Sequence, residues 1–280
     1  MATVAVESVL EPVGAPARGA PEAAAAGHPH RKSLAIVAVG YGTITVVLLG
    51  IGMLLTHPLA HSVGGWDERV NEYFAARRTP VWNDITNIAT AAFNTLPVIV
   101  AAAVLVTFLL VRRHVREAAF ITLGLLVEIT VFLSVTFVVA RPRPDVVRMN
   151  STPATSSFPS GHTAAATVLF VGIAVIVTCC TTRVLLRAAS YVLAVAVVIA
   201  VGFGRVYRGL HHPTDVFVAV FFGLACLVVA GLAVRAHGDA WRADQKKRRN
   251  GDSTAPMSRS SGERLETLST AELRVKSSSN

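Results

Sequence analysis

The 280-residue sequence has few charged residues and few cysteines, and both shortages narrow the class of protein. Charged residues make up only 15% of the chain, and they cluster between long apolar stretches. Soluble domains do not separate their charge in this way, so the composition indicates a membrane protein. The three cysteines (Cys179, Cys180 and Cys226) fall inside apolar runs without metal-ligand spacing. We therefore interpret them as apolar packing residues and expect neither a disulfide framework nor a bound metal.

Aromatic residues are also scarce, at 7%, and this helps to interpret the formal charge of +9, which could otherwise indicate a nucleic-acid surface. Lysines and arginines lie in short connections and at the termini, and aromatics are not interleaved with them. This pattern is typical of membrane topology and of an anionic substrate, so we expect no nucleic-acid partner.

Long apolar runs are what the sequence does contain. Each run is about as long as the ~20 residues that cross a bilayer core, and in lipid such a run must be helical. The sequence therefore predicts an all-α fold, an integral membrane bundle of six transmembrane helices. The predicted spans are 34–56, 90–111, 118–140, 162–181, 188–204 and 214–234.

The regions outside these spans differ in composition. Residues 1–33 and 237–280 are predicted to be disordered segments that flank a membrane domain at 34–236. The connection at 57–89 carries apolar residues at roughly helical spacing among charges. Two interpretations of it stay open: an amphipathic lid over the site, or a plain solvated connector.

The basic residues predict the orientation. Arginines and lysines before the first span, after the second, after the fourth and after the sixth share one side of an alternating bundle. The positive-inside rule then puts both termini in the cytoplasm. A chain rich in Ala, Val and Arg suggests a bacterial source, hence a plasma-membrane protein.

Three polar islands interrupt the apolar pattern on the opposite, outer side. The first is 141–145 (Arg-Pro-Arg-Pro-Asp), the second is 158–162 (Phe-Pro-Ser-Gly-His), and the third runs from Gly204 to Asp215. Short loops dense in Arg and His at the ends of membrane helices suggest an anionic substrate, because a guanidinium binds phosphate oxygens in a bidentate manner.

The residue types in these islands fit phosphoryl transfer. Ser160 and Gly161 lead into a helix whose N-terminal N–H groups can face an anion. A neutral His211 can attack phosphorus while Asp215, four residues on, holds its far nitrogen. His162 can protonate the leaving alkoxide.

Together the islands resemble the signature of the type 2 phosphatidic acid phosphatase family, namely Lys-x6-Arg-Pro, then Pro-Ser-Gly-His, then Ser-Arg-x5-His-x3-Asp. Residues 159–162 match the second part in full. Arg205, His211 and Asp215 match the third part at the required spacing, and Arg143-Pro144 matches the end of the first.

The resemblance implies roles for these residues. His211 would become a phosphohistidine supported by Asp215, and His162 would be the leaving-group acid. Phosphate would be held by the residues that match the rest of the signature: Arg143, Ser160, Gly161 and Arg205. The family needs no metal and no cofactor. His212 is a less favoured candidate for the attacking group, because the motif spacing selects His211.

The sequence departs from the signature at two positions. Thr136 stands where the family has lysine, and Gly204 stands where it has serine. Arg141, Arg148 or Arg208 could replace the missing positive charge. Glu128, inside the third span, is either hydrogen-bonded to a neighbouring helix or part of a proton relay or substrate site.

These features predict a membrane phosphatase that hydrolyses a lipid phosphate or pyrophosphate, with no obligate protein partner. Candidate substrates are polyprenyl pyrophosphate, phosphatidylglycerol phosphate and phosphatidic acid. Two alternatives stay open: a lipid-linked phosphotransferase, and a polyprenyl-phosphate binding or translocating protein without fast turnover.

Overall fold

The computed structural model of the chain describes residues 29–151 and 155–252, and in this part it contains helices and no strand. The helices are α1 (Pro29–Thr56), α2 (Val63–Ala76), α3 (Pro80–Ala92), α4 (Thr95–Val111), α5 (Val115–Val139), α6 (Gly161–Ala166), α7 (Gly172–Cys180), α8 (Val184–Tyr207) and α9 (Pro213–Asp252). A π-helical turn, Thr167–Val171, joins α6 to α7, so that Gly161–Cys180 forms one continuous span.

The helices confirm the predicted all-α membrane bundle. Five of them are long and apolar enough to cross a bilayer: α1, α5, α6 with α7, α8 and the first part of α9. The pair α3 and α4, bent by 48°, gives a sixth span if it is counted as one. The chain is therefore an integral membrane protein.

The second predicted span, 90–111, is not one straight helix. α3 ends at Ala92 and α4 begins at Thr95, with the bend between them. Pro97 explains the break, because a proline inside a helix lacks the N–H donor and its ring clashes with the carbonyl four residues earlier. The connection at 57–89 is mostly helical, since it contains α2 and most of α3.

The segments predicted to be disordered are partly helical where they meet the membrane domain. α1 already begins at Pro29, and α9 continues from the predicted end of the domain to Asp252. Pro29 is tolerated in a first helical turn. The segment after the sixth span is rich in Ala, Arg and Lys, which are good helix formers, and it contains no proline up to Asp252. Residues 1–28 and 253–280 lie outside the described residues.

Helices α1, α5 and α9 enclose the main apolar core. Small residues allow close approach: a Cβ added at Gly40 of α1 would lie 2.5 Å from Val229 of α9. At one end of this contact, the Ser33 hydroxyl donates a hydrogen bond to the carbonyl of Ala233 (3.0 Å). Close backbone approach and interhelical hydrogen bonds are how helices associate in lipid.

Helices α2 and α3 pack on the end of α8 through aromatic rings. Phe203 of α8 contacts Phe74 of α2 and Trp82 of α3, with both pairs of ring centroids 5.6 Å apart. The Tyr207 hydroxyl accepts a hydrogen bond from the backbone N–H of Thr79 and donates one to Asn83 (both 3.0 Å). The connection at 57–89 is thus fixed to the bundle at the end where α5 stops and α6 starts.

Candidate active site

The three polar islands meet at one end of the bundle. The first follows α5, the second precedes α6, and the third joins α8 to α9. Two backbone hydrogen bonds connect them: Ser157 N–H donates to the Arg141 carbonyl (2.9 Å), and Ser160 N–H donates to the Asp215 carbonyl (3.2 Å). The site is therefore built from three loops that are held to one another by the main chain.

The turn after α8 explains the spacing between Arg205 and His211. Gly209 adopts the left-handed conformation (φ 71°), which glycine tolerates best. Its N–H donates to the Val206 carbonyl, and the N–H of Leu210 donates to the Arg205 carbonyl (both 2.9 Å), which is the Schellman pattern. The chain turns back on itself, and His211 lies next to the last turn of α8.

The start of α9 is capped by its own sequence. Pro213 occupies the first helical position, where its missing N–H costs nothing. Asp215 then reaches back to accept the backbone N–H of His212 at 2.9 Å, as the acidic residue of a capping box does. Asp215 is fully buried and also accepts hydrogen bonds from the Ser157 hydroxyl and from Arg141.

His211 has one ring nitrogen held by a hydrogen bond, and the other has no hydrogen-bond partner among the residues that the structure describes. Its Nδ1 lies 2.7 Å from the carbonyl oxygen of Ser157, so Nδ1 carries the proton and donates it. Nε2 then keeps its lone pair. The Asp215 carboxylate lies 3.9 Å from Nδ1, too far for a hydrogen bond, so Ser157 orients the ring where we expected Asp215 to do so.

The environment of His211 favours the neutral imidazole. Burial lowers its pKa to about 4, and the nearby positive charge of Arg143 acts in the same direction. The Asp215 carboxylate opposes the shift but does not cancel it. At neutral pH the side chain is therefore an uncharged base with a lone pair available for attack on an electrophile.

Two arginines that match the signature, the buried Arg205 and the half-buried Arg143, form no ion pair with a carboxylate in the described part of the chain. Arg205 is 5% exposed, and its Nε and Nη2 have no hydrogen-bond partner among the described residues. Arg143 donates to the Leu210 carbonyl (2.6 Å) and to the Thr155 hydroxyl (3.3 Å), while its buried Nε has no partner in the same part of the chain. Burial lowers the pKa of Arg143. Guanidinium groups with buried, open donors suit a phosphate.

The second island contributes the start of α6. His162 lies within electrostatic reach of Arg205, Arg143 and His211, so the structure brings the predicted site residues of all three islands together. The Ser160 hydroxyl shares a hydrogen bond with Thr163 (3.0 Å). A Cβ added at Gly161 would meet the Phe132 ring at 2.9 Å, so close packing against α5 requires a glycine there.

Two of the three arginines considered as replacements for the missing lysine, Arg141 and Arg208, have other contacts. Arg141 forms buried ion pairs with Asp67 (2.7 Å) and Asp215. Arg208 donates to the side chain of Asn150 (2.5 Å), the carbonyl of Asn83 (3.1 Å) and the hydroxyl of Thr86 (3.2 Å). Their donors hold helices and loops in place and do not point to a shared phosphate.

Thr136 and Glu128 both lie on the buried face of α5. The Thr136 hydroxyl has no hydrogen-bond partner among the described residues. Glu128 lies eight residues earlier, about 12 Å along the helix at ~1.5 Å per residue, and it is close enough to Cys226 to interact electrostatically. Glu128 lies in the apolar core, among Val127 and Val131, away from the polar loops.

His212, the less favoured nucleophile candidate, has both ring nitrogens engaged. Nδ1 lies 3.3 Å from Asp215, and Nε2 lies 3.3 Å from Glu68. The two neighbouring histidines therefore differ in their contacts, and His211 is the one with a nitrogen available.

Three residues at the site could not be recognised from the sequence. Ser157 bonds to Asp215 through its hydroxyl and to His211 through its carbonyl. Asp67 and Glu68 come from α2, which the sequence presented only as a charged connection. The helical spacing of apolar residues at 57–89 was a signal for α2, but it did not indicate which carboxylates point inward.

A cavity of about 430 Å³ opens beside the first island and reaches Arg143. It is lined mainly by the residues after α5, including Arg141, Arg148 and Thr155. This volume is within the range of small-molecule sites, so there is room for a polar headgroup next to Arg143.

One group of potential metal ligands occurs in the described part of the chain, and it is not at this site. His114, Glu117 and Cys180 have ligand atoms within 4.8 Å of one another. They lie at the start of α5 and the end of α7, the opposite ends of those helices from the polar loops.

The fold is similar to that of a solved membrane phosphatase. A solved structure, that of a transmembrane PAP2-type phosphatidylglycerolphosphate phosphatase from Bacillus subtilis, has a TM-score of 0.58 and 20% identity over 67% of this chain and 94% of that one. The structure of LpxE from Aquifex aeolicus has a TM-score of 0.43 and 20% identity over 58% and 92%. A search of curated proteins finds no match. The sequence model of the PAP2 superfamily matches residues 117–239, a range that includes all three islands. Residues 117–239, which lie within the helical membrane bundle and carry the three islands, are thus similar to the PAP2 superfamily.

Proposed function

We propose that the protein is a membrane phosphatase that hydrolyses a lipid phosphate or pyrophosphate through a phosphohistidine at His211. The observation that carries the proposal is the contact of His211 Nδ1 with the Ser157 carbonyl (2.7 Å). This contact leaves Nε2 unprotonated near two arginines, Arg143 and Arg205, whose buried Nε donors have no partner among the described residues.

In the first step, His211 Nε2 attacks the terminal phosphorus. The bond that breaks joins this phosphorus to the lipid oxygen of a monoester or to the bridging oxygen of a pyrophosphate. Arg143 and Arg205, with the N–H groups at the start of α6, bind the phosphoryl oxygens, whose charge is spread over the transition state. His162 donates a proton to the departing alkoxide or phosphate. Ser157 keeps the proton on Nδ1, and Asp215 provides negative charge beside the ring as it becomes positive.

In the second step, water attacks the phosphohistidine. His162, now neutral, accepts a proton from the water while the bond from phosphorus to Nε2 breaks. Inorganic phosphate leaves, and His211 is again a neutral imidazole. For a monoester, one lipid phosphate and one water give one lipid alcohol and one phosphate. For a pyrophosphate, one lipid pyrophosphate and one water give one lipid monophosphate and one phosphate.

This chemistry uses no metal and no cofactor. Asp215 and Asp67, the buried carboxylates in the described part of the site, already accept hydrogen bonds from Arg141, Ser157 and Thr214. They have no evident capacity left to hold a cation, and the charges next to His211 Nε2 are those of arginines. Activity is expected to persist in the presence of a chelator.

The substrate class follows from where the site lies. The catalytic candidates are at the ends of membrane helices, so an acyl or prenyl chain can stay in lipid while the headgroup reaches Arg143. Polyprenyl pyrophosphate, phosphatidylglycerol phosphate and phosphatidic acid all meet this description. The Bacillus subtilis protein with a similar fold acts on phosphatidylglycerol phosphate, which places that lipid among the first to test.

The proposed location is a bacterial plasma membrane, with both termini in the cytoplasm and the site facing outward. Arginines at the ends of the helices opposite to the site support this orientation: Arg112, Arg113, Arg116, Arg183, Arg187 and Arg235. The orientation makes lipids of the outer leaflet the substrates.

The test is release of inorganic phosphate by the purified protein in detergent with EDTA, from a panel of lipid phosphates. We expect turnover of at least one lipid and loss of turnover in His211→Ala and His162→Ala. Acid-labile radioactive phosphate should appear on the wild type and on His162→Ala, and it should be absent from His211→Ala. No turnover of any lipid, or a full rate in His211→Ala, would reject the proposal.

The same panel distinguishes the two other functions. A lipid-linked phosphotransferase would lose phosphate from the donor only with an added acceptor, and the phosphate would be recovered on that acceptor. A polyprenyl-phosphate binding or translocating protein would bind the lipid without releasing phosphate. Thr136 stands where the family has a lysine, and this missing positive charge is the reason to test the binding or translocating function.

A further inference from the structure

Asp67 is a carboxylate from the charged connection at 57–89, yet it is fully buried. Its Oδ1 accepts the backbone N–H of Thr214 (3.1 Å), and its Oδ2 accepts the hydroxyl of the same residue (2.5 Å). Oδ2 also accepts a hydrogen bond from Arg141 (2.7 Å). A buried charge is costly, so an Asp in this position is expected to be fully paired, as Asp67 is.

Arg141 connects Asp67 to Asp215. One terminal nitrogen of its guanidinium, Nη2, bonds to Asp67, and the other, Nη1, bonds to Asp215. The two carboxylates therefore hold the planar guanidinium from both sides. Asp215 in turn accepts a hydrogen bond from the Ser157 hydroxyl, and the carbonyl of Ser157 fixes His211. An unbroken series of contacts leads from α2 to the proposed nucleophile.

The next residue of α2 reaches the same loops independently. Glu68 lies 3.3 Å from His212 Nε2 and accepts the backbone N–H of Asp145 at 3.1 Å. Asp67 and Glu68 thus attach α2 to the loop after α5 and to the start of α9. Helix α2 precedes the region matched by the PAP2 superfamily, residues 117–239, so the superfamily motifs do not include these contacts.

We propose that Asp67 is a positioning residue, which acts through Arg141 to hold Asp215 and His211 in the geometry for attack on phosphorus. The inference rests on the proposed function of the site. Both oxygens of Asp67 are occupied, so it does not touch the phosphate. The two negative charges of Asp67 and Asp215 and the positive charge of Arg141 sum to a net charge of about −1. This charge lies beside the His211 ring, which becomes positive on phosphorylation. Asp67 should therefore affect the chemical step more than substrate binding.

The test uses Asp67→Asn in the full-length protein. Asparagine keeps the shape and an oxygen that can accept the Thr214 N–H, while it removes the charge that Arg141 needs. With dioctanoyl phosphatidic acid as the probe, we expect kcat to fall about 10- to 100-fold, as for other residues that orient a reacting group. KM should stay within about threefold.

Vanadate affinity distinguishes positioning from a loss of folded protein. Vanadate resembles the transition state of phosphoryl transfer, and its Kd can be measured from the shift in Tm without any turnover. We expect the Kd for vanadate to rise about tenfold in Asp67→Asn. A variant that merely contains fewer folded molecules would keep the wild-type Kd.

Glu72→Gln is the matched control, because Glu72 is an exposed carboxylate on the same helix. It should leave kcat and the vanadate Kd unchanged. If Asp67→Asn does not fold, Thr214→Val removes the hydroxyl contact with Asp67 and should raise the Kd severalfold. A wild-type kcat in Asp67→Asn, or a lower kcat with an unchanged vanadate Kd, would overturn the positioning role. A wild type that releases no phosphate from any lipid would reject the proposed function instead, and the vanadate Kd would still decide the role of Asp67.

Discussion

At the scale of single residues, the buried imidazole of His211 determines the pH range of the proposed reaction. Only the neutral ring can attack phosphorus, and burial lowers the pKa of His211 to about 4. The active form is thus fully present at neutral pH and is lost as the pH falls through about 4. We expect the acid limb of kcat/KM, which reports the free enzyme, near pH 4 and not near the ordinary histidine value of about 6.5.

This prediction needs a control for the ionisation of the substrate. Phosphate release should be measured with two phosphate substrates whose own pKa values differ, because a limb common to both belongs to the enzyme. The same shift acts on stability: between about pH 6.5 and pH 4 the unfolded chain binds a proton at His211 and the folded chain does not. The free energy of unfolding should therefore decrease as the pH falls through this window. A common limb at pH 6.5 would contradict the buried, neutral His211.

Arg205 is expected to be needed for phosphate release and to lower the stability of the fold. Its buried guanidinium has two nitrogens without partners among the described residues, and an unpaired buried charge destabilises a fold. We expect Arg205→Met to reduce phosphate release at least ~100-fold, while Tm in detergent stays the same or rises. Vanadate should raise the Tm of the wild type and not that of Arg205→Met.

Arg208→Met is the matched control for that substitution. Arg208 is also buried, but its guanidinium donates hydrogen bonds to Asn83, Thr86 and Asn87 of α3. Its removal leaves those acceptors unpaired, so Tm should fall. If both variants lowered Tm equally, Arg205 would have structural partners and would not be held open for an anion.

At the scale of helices, the distance between α6 and α9 sets the relation of His162 to Asp215. Gly223 of α9 faces α6 so closely that an added Cβ would lie 2.7 Å from Thr167 Cβ and 2.8 Å from the Ala164 carbonyl. Gly223→Ala should push the helices apart, reduce kcat and cost ~1–3 kcal/mol of stability, as overpacking does. Tm and phosphate release measure the two effects.

Gly50→Ala is the control, because no neighbouring side chain in the described part of the chain lies within 4 Å of a Cβ at Gly50. Alanine is the better helix former, so stability should be unchanged or rise by up to ~1 kcal/mol. Equal loss in both variants would mean that helix propensity, and not the contact of α9 with α6, explains the effect.

The limits of sequence prediction are also clearest at this scale. The spans and the convergence of His211, Asp215 and His162 could be predicted, because apolar length and motif spacing are local properties of the chain. The break before Pro97 was missed since the apolar run continues through it. Asp67 was missed for a different reason: a carboxylate in a polar connection looks solvated until α2 is placed against Arg141, 74 residues away. Likewise, the orientation of His211 depends on the carbonyl of Ser157, a main-chain atom that any residue type would supply.

At the scale of the whole molecule, the proposed orientation separates two sets of exposed residues. Ser151 is exposed in the loop at the site end, whereas Cys179 and Cys180 are exposed at the other end of the bundle. The positive-inside rule puts the arginine-rich end in the cytoplasm, because short loops rich in Lys and Arg are retained there. Ser151→Cys should therefore be accessible from outside the cell, and the two native cysteines should not.

The measurement uses intact bacterial cells and a maleimide that cannot cross the membrane. Ser151→Cys, in a background with the three native cysteines replaced, should be labelled at once. The wild type should be labelled only after permeabilisation, at Cys179 and Cys180, since Cys226 is buried. The Ser151→Cys variant and the wild type thus serve as controls for each other. The reverse labelling pattern would place the catalytic candidates on the cytoplasmic side. Because the phosphate leaves on the side where His211 lies, that reversal would also change which leaflet supplies the lipid.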